Sequence, residues 1–176
     1  MGTVSRPDFA SLTLPHMAAL YRTACRLTAR ASEAEDLVQE TYLEGFRCYP
    51  SLRDPGSSRA WMFRILHNLW SERRTKEAAR ALSAKLQASE ATDWSAVVIP
   101  REEDAGFSDE LTHALASLPE EFRTAVLLVT VEELSYGEVA EVMNCPIGTV
   151  RSRVARGRAL LAGALAAHRA EVFAKE

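Results

Sequence analysis

Apolar residues recur at helical spacing along most of the chain, and three such stretches fill its first half. Residues 16–30 have apolar positions three and four apart, which predicts a helix with one buried face. The same spacing predicts a second helix over 33–48 and a third over about 58–80. A loop rich in Pro, Asp and Gly at 50–56 separates these two helices. The first half of the chain is therefore predicted to form a helical domain.

The second half begins with a segment that loses this periodicity. Residues 83–106 contain Pro, Gly and an acidic run, which favours a tether with some helix at its start. Short helices are then predicted over 108–117 and 119–132. The predicted fold class is all-α, with two small helical domains joined by an acidic linker. We place the first domain at residues 10–80, the linker at 81–107 and the second domain at 108–168.

Two serines have the sequence context of helix caps. Ser32 is followed three residues later by Glu35, which is the spacing of a capping box. Ser135 and Glu138 have the same spacing. In a capping box the serine side chain binds the third backbone amide of the helix, and the glutamate reaches back to the serine amide. We therefore expect one helix to begin just after each serine.

The stretch 134–161 predicts a helix-turn-helix. Its first helix is expected to end near Met143, because Asn144 tolerates left-handed geometry and Pro146 suits the start of another helix. The apolar residues of the second helix that are predicted to face inward are Ile147, Val150, Val154 and Leu161. Its opposite face is cationic, and a helix of this kind fits the major groove of DNA. An αα-hairpin with a solvated basic face is the alternative.

The distribution of charge changes what the composition implies. The chain carries 21 Lys and Arg against 24 Asp and Glu, and this net charge of −3 argues against a nucleic-acid binder. However, residues 51–80 hold seven basic and three acidic side chains, and residues 147–176 hold six and two. Residues 81–146 between them hold three basic and thirteen acidic side chains. Local fields, and not net charge, attract a polyanion, so both basic blocks are candidate DNA contacts.

Several classes of protein are excluded. The sequence has no apolar run long enough to span a membrane, and its first residues lack the pattern of a secretory signal. Cys25, Cys48 and Cys145 form neither a CxxC pair nor a zinc spacing, so we predict no metal and no cofactor. No nucleophile, phosphate-binding or metalloprotease motif occurs. We therefore predict that the protein is not an enzyme and has no catalytic residues.

From about residue 12 to 165 the chain resembles the extracytoplasmic-function (ECF) sigma factors of the sigma-70 family. The resemblance rests on SEAEDLVQETYLEGF (32–46), SRAWMFRILHNLWSERR (58–74), LPEEFRTAVLL (118–128), LSYGEVAEVM (134–143) and CPIGTVRSRVARGRALL (145–161), in this order. It implies a bacterial transcription initiation factor that binds RNA polymerase core and directs it to specific promoters. The first domain would correspond to sigma region 2 and the second to sigma region 4.

The resemblance also implies roles for particular residues. The acidic helix would dock on the clamp helices of the largest polymerase subunit through Asp36, Leu37, Gln39, Glu40 and Phe46. The following helix would melt and read the minus-ten element as single strand, through Trp61, Arg64, His67, Asn68, Arg73, Arg74 and Lys76. Asn68 matches a base-reading asparagine of related factors, whereas core packing is the favoured role for Trp61. The minus-thirty-five element would be read as duplex by Thr149, Arg151, Ser152, Arg153 and Arg156.

The implied partners are RNA polymerase core, promoter DNA and an anti-sigma factor. Polymerase contacts would include the clamp helices and the flap of the second-largest subunit. We expect a cytoplasmic protein with no membrane insertion of its own. A helix-turn-helix regulator acting without polymerase would leave the motifs of the first domain unexplained. A sigma-like decoy for an anti-sigma factor would be expected to lose its DNA-reading residues, which here remain basic.

Overall fold

The computed structural model of the protein describes residues 8–28, 30–87 and 109–173, and every regular element in these ranges is helical. The α-helices are α1 (Phe9–Thr13), α2 (Met17–Leu27), α3 (Ala31–Cys48), α4 (Ser58–Gln87), α5 (Asp109–Ala116), α6 (Glu120–Val126), α7 (Tyr136–Val142) and α8 (Ile147–Phe173). Short 3₁₀ turns occupy Leu14–His16, Tyr49–Ser51 and Pro55–Ser57, and a π-turn occupies Leu127–Val131. The predicted all-α class is confirmed. Most of the predicted linker lies at 88–108, outside the described residues.

Helices α1 to α4, here called the N-terminal domain, are organised around α4. Four consecutive residues of this helix, Ala60 to Phe63, are buried, and Leu66 follows them into the core. α4 packs against both α2 and α3. Asp54 directs the chain into α4, because its carboxylate accepts a 3.0 Å hydrogen bond from the Gly56 amide. The helix then continues to Gln87, seven residues past its predicted end.

The predicted capping box at Ser32 is wrong. α3 begins at Ala31, its N-cap is Arg30 without a side-chain cap, and Ser32 lies inside the first turn. The amides of Glu33 and Ala34 both donate to the Arg30 carbonyl, at 3.1 Å each. The extended backbone of Arg30 therefore starts the helix two residues earlier than the serine pattern indicated.

Helices α5 to α8, here called the C-terminal domain, form a second bundle in which α8 packs on α5, α6 and α7. Val150 and Val154 are buried as predicted, and Leu161 is half-buried. Ile147 was expected to face inward but is 44% exposed. It is the first residue of α8, and the core is filled by the valines one and two turns further along.

Helices α6 and α8 cross closely at Gly157. A Cβ atom at this position would lie 2.6 Å from Val126 Cγ2 and 3.1 Å from the Phe122 carbonyl oxygen. Both distances are shorter than ordinary van der Waals contact, and Val126 is a buried residue on the facing helix. Glycine normally weakens a helix interior, but at this position the missing Cβ atom is what allows the two backbones to approach.

The two domains are in contact. α4 packs against α7, and α2 packs against α5. Glu132 of the C-terminal domain is 1% exposed, and its carboxylate meets side chains of α2 and α4. Arg74 Nε of α4 also donates to Glu120 Oε2 of α6, at 3.2 Å. Long-range polar contacts thus join the domains through two separate glutamates.

We expect Gly157→Ala to lower the free energy of unfolding by about 1 kcal/mol, because overpacking outweighs the better helix propensity of alanine. Gly163→Ala is the matched control on the same helix, since a Cβ atom there would meet nothing within 4 Å. That control should raise stability by up to about 1 kcal/mol. Chemical denaturation measures the free energy of unfolding of both variants. If both substitutions raised it equally, the close crossing of α6 and α8 at Gly157 would be contradicted.

Candidate nucleic-acid and partner interfaces

The outward face of α3 carries acidic and polar side chains. Asp36, Gln39 and Glu40 are exposed, as contact with a partner would require. Leu37 is fully buried in the core, so it cannot offer the apolar contact expected of it. It instead holds α3 in the bundle, so the apolar part of any interface must come from other residues.

Two large apolar residues continue this face. Phe46 is 67% exposed and Leu43 is 59% exposed. Sequence reasoning missed Leu43, although its spacing of three and four residues from Glu40 and Gln39 places it on their face. The Phe46 ring packs edge-on against Phe9 of α1, with ring centroids 5.6 Å apart. We call Asp36, Gln39, Glu40, Leu43 and Phe46 the α3 stripe.

On α4, Arg64 and Asn68 are exposed and lie one helical turn apart. Trp61 is buried in the core, which is the role favoured for it. His67 is half-buried, and its Nδ1 atom has no hydrogen-bond partner among the described residues. Burial holds the pKa of His67 below its ordinary value, although the Glu120 carboxylate acts in the opposite direction. The imidazole is therefore neutral at pH 7.

A groove runs beside Arg64, between the loop before α4 and helix α7. Its lining residues are Ser51, Leu52, Arg53, Asp54, Ser57, Ala60, Trp61, Arg64 and Glu141. Two of them are arginines from the N-terminal domain, whereas Glu141 comes from α7 of the C-terminal domain. The groove thus combines two arginines and the Asp54 carboxylate of one domain with the Glu141 carboxylate of the other.

The three cations of the basic segment 73–76, in the middle of α4, are predicted to hold phosphates and are all ion-paired with carboxylates. The pairs are Arg73–Glu40 (2.8 Å), Arg74–Glu77 (3.1 Å), Arg74–Glu120 (3.2 Å) and Lys76–Glu72 (3.4 Å). Exposed pairs of this kind contribute about 0–1 kcal/mol, so a phosphate can displace the carboxylate at little cost. The Arg73–Glu40 pair joins the α3 stripe to the basic segment 73–76 of α4.

The helix-turn-helix forms with the predicted capping box at its start. The Glu138 amide donates to Ser135 Oγ at 3.2 Å, and the Ser135 amide donates to Glu138 Oε2 at 2.8 Å. α7 ends at Val142, and Asn144 adopts the left-handed backbone expected of it, with φ of 47°. This turn sets the direction of α8 relative to α7.

α8 presents Arg151, Ser152 and Arg156 on its exposed side, and Thr149 is half-buried. Arg153 is held by its own domain, since Nη2 donates to Glu121 Oε2 at 2.8 Å and Nη1 lies 3.6 Å from Cys145 Sγ. The exposed arginines can approach base edges and phosphates, whereas Arg153 braces α8 against α6.

Within the described ranges, no cluster of three or more His, Cys, Asp or Glu side chains is placed to hold a metal ion. No helix there combines the length and the apolar character needed to cross a membrane.

Family models match both halves of the chain. Residues 12–80 match sigma-70 region 2, and residues 108–161 match sigma-70 region 4. The chain is 38% identical over 168 residues to the ECF RNA polymerase sigma factor SigE of Mycolicibacterium smegmatis. The alignment covers 94% of this chain but 64% of that relative. It is 32% identical over 163 residues to the ECF RNA polymerase sigma factor SigW of Bacillus subtilis, covering 87% of this chain and 86% of SigW.

Two solved structures are similar over both domains. The sigma factor RpoE of Bartonella quintana, in complex with the anti-sigma factor NepR, has a TM-score of 0.75 and 28% identity, covering 90% of this chain and 96% of that one. CnrH, in complex with the cytosolic domain of CnrY, has a TM-score of 0.63 and 25% identity, covering 90% of this chain and 88% of that one.

We expect Ser135→Ala to lower the free energy of unfolding by about 1 kcal/mol, because it leaves an α7 amide without its side-chain acceptor. Ser32→Ala is the control, since that serine makes no capping bond. The control should change stability by less than about 0.5 kcal/mol. Urea denaturation measures the free energy of unfolding of both variants. A similar loss of stability in the two would contradict the finding that α7 has a serine cap and α3 has none.

Proposed function

The chain belongs to the ECF sigma factors of the sigma-70 family, which are non-enzymatic transcription initiation factors, and we propose how its surfaces divide this work. The α3 stripe binds RNA polymerase core, the exposed face of α4 reads the minus-ten element as melted strand, and α8 reads the minus-thirty-five element as duplex. The observation that carries the proposal is the presence, on one chain, of an exposed stripe with acidic side chains and of two helices that carry exposed arginines.

Core binding by the α3 stripe is supported by its chemistry. Asp36 and Glu40 can pair with basic side chains, while Leu43 and Phe46 supply apolar area that is open to a partner. Leu37 takes no direct part in this proposal, because it is buried beneath the stripe. The partner surface proposed is the clamp helices of the largest subunit. The flap of the second-largest subunit is proposed to hold the C-terminal domain.

Reading of the minus-ten element is assigned to Arg64, Asn68 and the neighbouring groove. Bases of a melted strand offer edges that an asparagine can recognise, and cations beside them can hold the phosphates. Arg73, Arg74 and Lys76 serve as phosphate contacts once they leave their carboxylate partners. His67 lies between Arg64 and the basic segment 73–76 of α4 as a neutral hydrogen-bonding group, and Trp61 supports this face from the core.

Reading of the minus-thirty-five element is assigned to the exposed side of α8. Arg151, Ser152 and Arg156 contact bases and backbone in the major groove, because a capped helix-turn-helix directs the start of its second helix there. Thr149 contacts phosphate. Arg153 keeps its proposed phosphate contact only if it exchanges Glu121 for DNA, since that carboxylate is 2.8 Å away.

The domain organisation and the partners are part of the same proposal. We keep the boundaries at 10–80, 81–107 and 108–168, with a cytoplasmic location beside polymerase and promoter DNA. An anti-sigma factor is proposed as a further partner, since the similar RpoE and CnrH structures contain NepR and the cytosolic domain of CnrY. The two-domain match favours this reading over a helix-turn-helix regulator that acts without polymerase.

The experiment that tests the function is transcription from host genomic DNA by polymerase core with and without the protein, followed by sequencing of the transcripts. We expect new start sites that share two sequence elements. A regulator without polymerase activity, or a decoy, would give no transcript that depends on the protein.

We expect Asp36→Arg to weaken binding to polymerase core about tenfold or more, because it places a cation where the partner surface is proposed to be basic. Competition with a labelled sigma factor for core measures the affinity. Glu77→Arg is the control, since Glu77 is exposed on α4 and the charge change is the same. Unchanged affinity of the Asp36 variant would remove α3 from the interface.

We expect Arg151→Glu to abolish binding of the minus-thirty-five duplex while core affinity stays unchanged, because a carboxylate replaces a phosphate- or base-binding cation. Arg158→Glu on the same helix is the control: Arg158 also is exposed but donates to Thr130 Oγ1 of its own domain. A mobility-shift assay measures binding to duplex DNA, and competition with a labelled sigma factor measures the affinity for polymerase core. Loss of core affinity in the Arg151 variant would overturn the division between domains.

A further inference from the structure

Ile147 is an exposed apolar residue at the tip of the helix-turn-helix. It is 44% exposed, and its chain neighbours Pro146 and Gly148 are exposed as well. The core of the C-terminal domain is filled instead by Val150 and Val154, which are 0% and 2% exposed. The domain therefore leaves a branched apolar side chain in solvent at the point where α8 begins.

The place of Ile147 in α8 determines where its side chain points. Side chains of an α-helix tilt toward the helix N-terminus, so the first residue of α8 projects toward the helix end. In a helix-turn-helix, the N-terminal residues of the second helix are those that reach base edges in the major groove. Gly148 carries no side chain, and the space around it is open, because an added Cβ atom would meet nothing within 4 Å. Under the proposed function of α8, Ile147 therefore lies at the end that enters the groove.

Ile147 shares its side of α8 with Arg151. Residues four apart are neighbours on a helix surface, and Arg151 is also exposed. Their Cα atoms are separated by about 6 Å along the helix axis, which corresponds to about one or two base pairs of a duplex. The two side chains can therefore contact neighbouring base pairs, and the guanidinium of Arg151 suits the O6 and N7 acceptors of guanine.

The chemistry of Ile147 favours one base over the others. Its side chain can neither donate nor accept a hydrogen bond, so it cannot read the polar groups of a base edge. Thymine is the one base that displays a methyl group in the major groove, at C5. Contact between this methyl group and the isoleucine removes apolar area from water, whereas cytosine at the same position offers no methyl group. Such a contact distinguishes thymine from cytosine.

A protein partner suits this residue less well than a base does. A specific protein interface buries about 800 Å² on each side, and it needs a continuous surface. Ile147 is bordered by the small residue Gly148 and the cation of Arg151. Among the described residues of α8, the other large exposed hydrophobic is Leu160, about 20 Å further along the helix. A single apolar side chain beside a cation matches a single methyl group on a polyanion.

We propose that Ile147 is a specificity-determining residue of α8 and contacts the C5 methyl group of a thymine in the minus-thirty-five element. The thymine lies about one or two base pairs from the base that Arg151 contacts, on either strand. The inference rests on the proposed duplex binding by α8 and adds an apolar residue to the polar ones assigned there. Replacing this thymine by cytosine weakens binding of the element.

The test removes the methyl group from the DNA and the isoleucine from the protein. The full chain first selects duplexes from a random library by mobility shift. Each thymine of the selected site is then replaced in turn by deoxyuridine, which lacks only the C5 methyl group. We expect one replacement to weaken binding of the wild type about fourfold, as the loss of about one buried methyl group would. Ile147→Ala should bind the parent duplex at least about fourfold more weakly and be insensitive to that replacement.

Leu160→Ala is the matched control on the same helix. Leu160 is 46% exposed, close to the value for Ile147, but it lies far from the end of α8 that enters the groove. This variant should bind the parent duplex as the wild type does and keep the full sensitivity to deoxyuridine. Circular dichroism compares the folding of the variants. If Ile147→Ala does not fold, Ile147→Gln replaces it in the same comparison, since glutamine is also a good helix former.

The outcomes separate the role of Ile147 from the function of α8. If the wild type is insensitive to every deoxyuridine, or if Ile147→Ala keeps the wild-type sensitivity, methyl recognition by Ile147 is overturned while duplex binding by α8 stands. An equal loss of sensitivity in Leu160→Ala would also overturn it, because the effect would then not depend on the groove end of α8. If the wild type enriches no duplex, the proposed reading by α8 fails, and the inference fails with it.

Discussion

The first half of α4 is buried on nearly all sides, and the other helices are arranged around it. Successive residues of a helix point about 100° apart, so Ala60 to Phe63 can all be buried only if neighbours surround the helix. α2 and α3 cover it within the N-terminal domain, and α7 packs on it from the other domain. Arg64 and Asn68 are exposed on the same helix. The burial that holds the molecule together thus also determines which residues of α4 are open to a partner.

The cations of α4 have carboxylate partners within the chain itself. Arg73 binds Glu40, and Arg74 binds Glu120 from the other domain. Carboxylates of the same chain pair with these cations, and the acidic segment 81–146 supplies Glu132 and Glu141 to this side of α4. The basic and acidic blocks that cancel in the net charge therefore also pair in the structure, since carboxylates of the C-terminal domain bind cations of α4.

Helical periodicity was enough to predict the all-α class, the approximate helix positions and the helix-turn-helix with its Ser135 cap. The same serine pattern failed at Ser32, because the extended backbone of Arg30 had already started α3. Leu37 was misjudged because its contact role was carried over from the family resemblance, whereas in this chain the residue is buried in the core. Leu43 was missed although its spacing from Gln39 and Glu40 places it on their exposed face. Glu132 gave no local signal, since its partners Thr23 and Arg59 are 109 and 73 residues away in sequence. Contacts of that range depend on how the domains meet.

The crossing at Gly157 divides α8 into two sides. Val150, Val154 and Gly157 face the domain, and Arg151, Ser152 and Arg156 face solvent. Substitutions on the solvent side leave the core packing intact, so the proposed promoter reading by α8 can be varied there without redesigning the scaffold. Arg153 is the exception among the predicted DNA contacts, because it is tied to Glu121. A library that varies α8 should hold Arg153 and Gly157 constant and randomise the exposed positions around them.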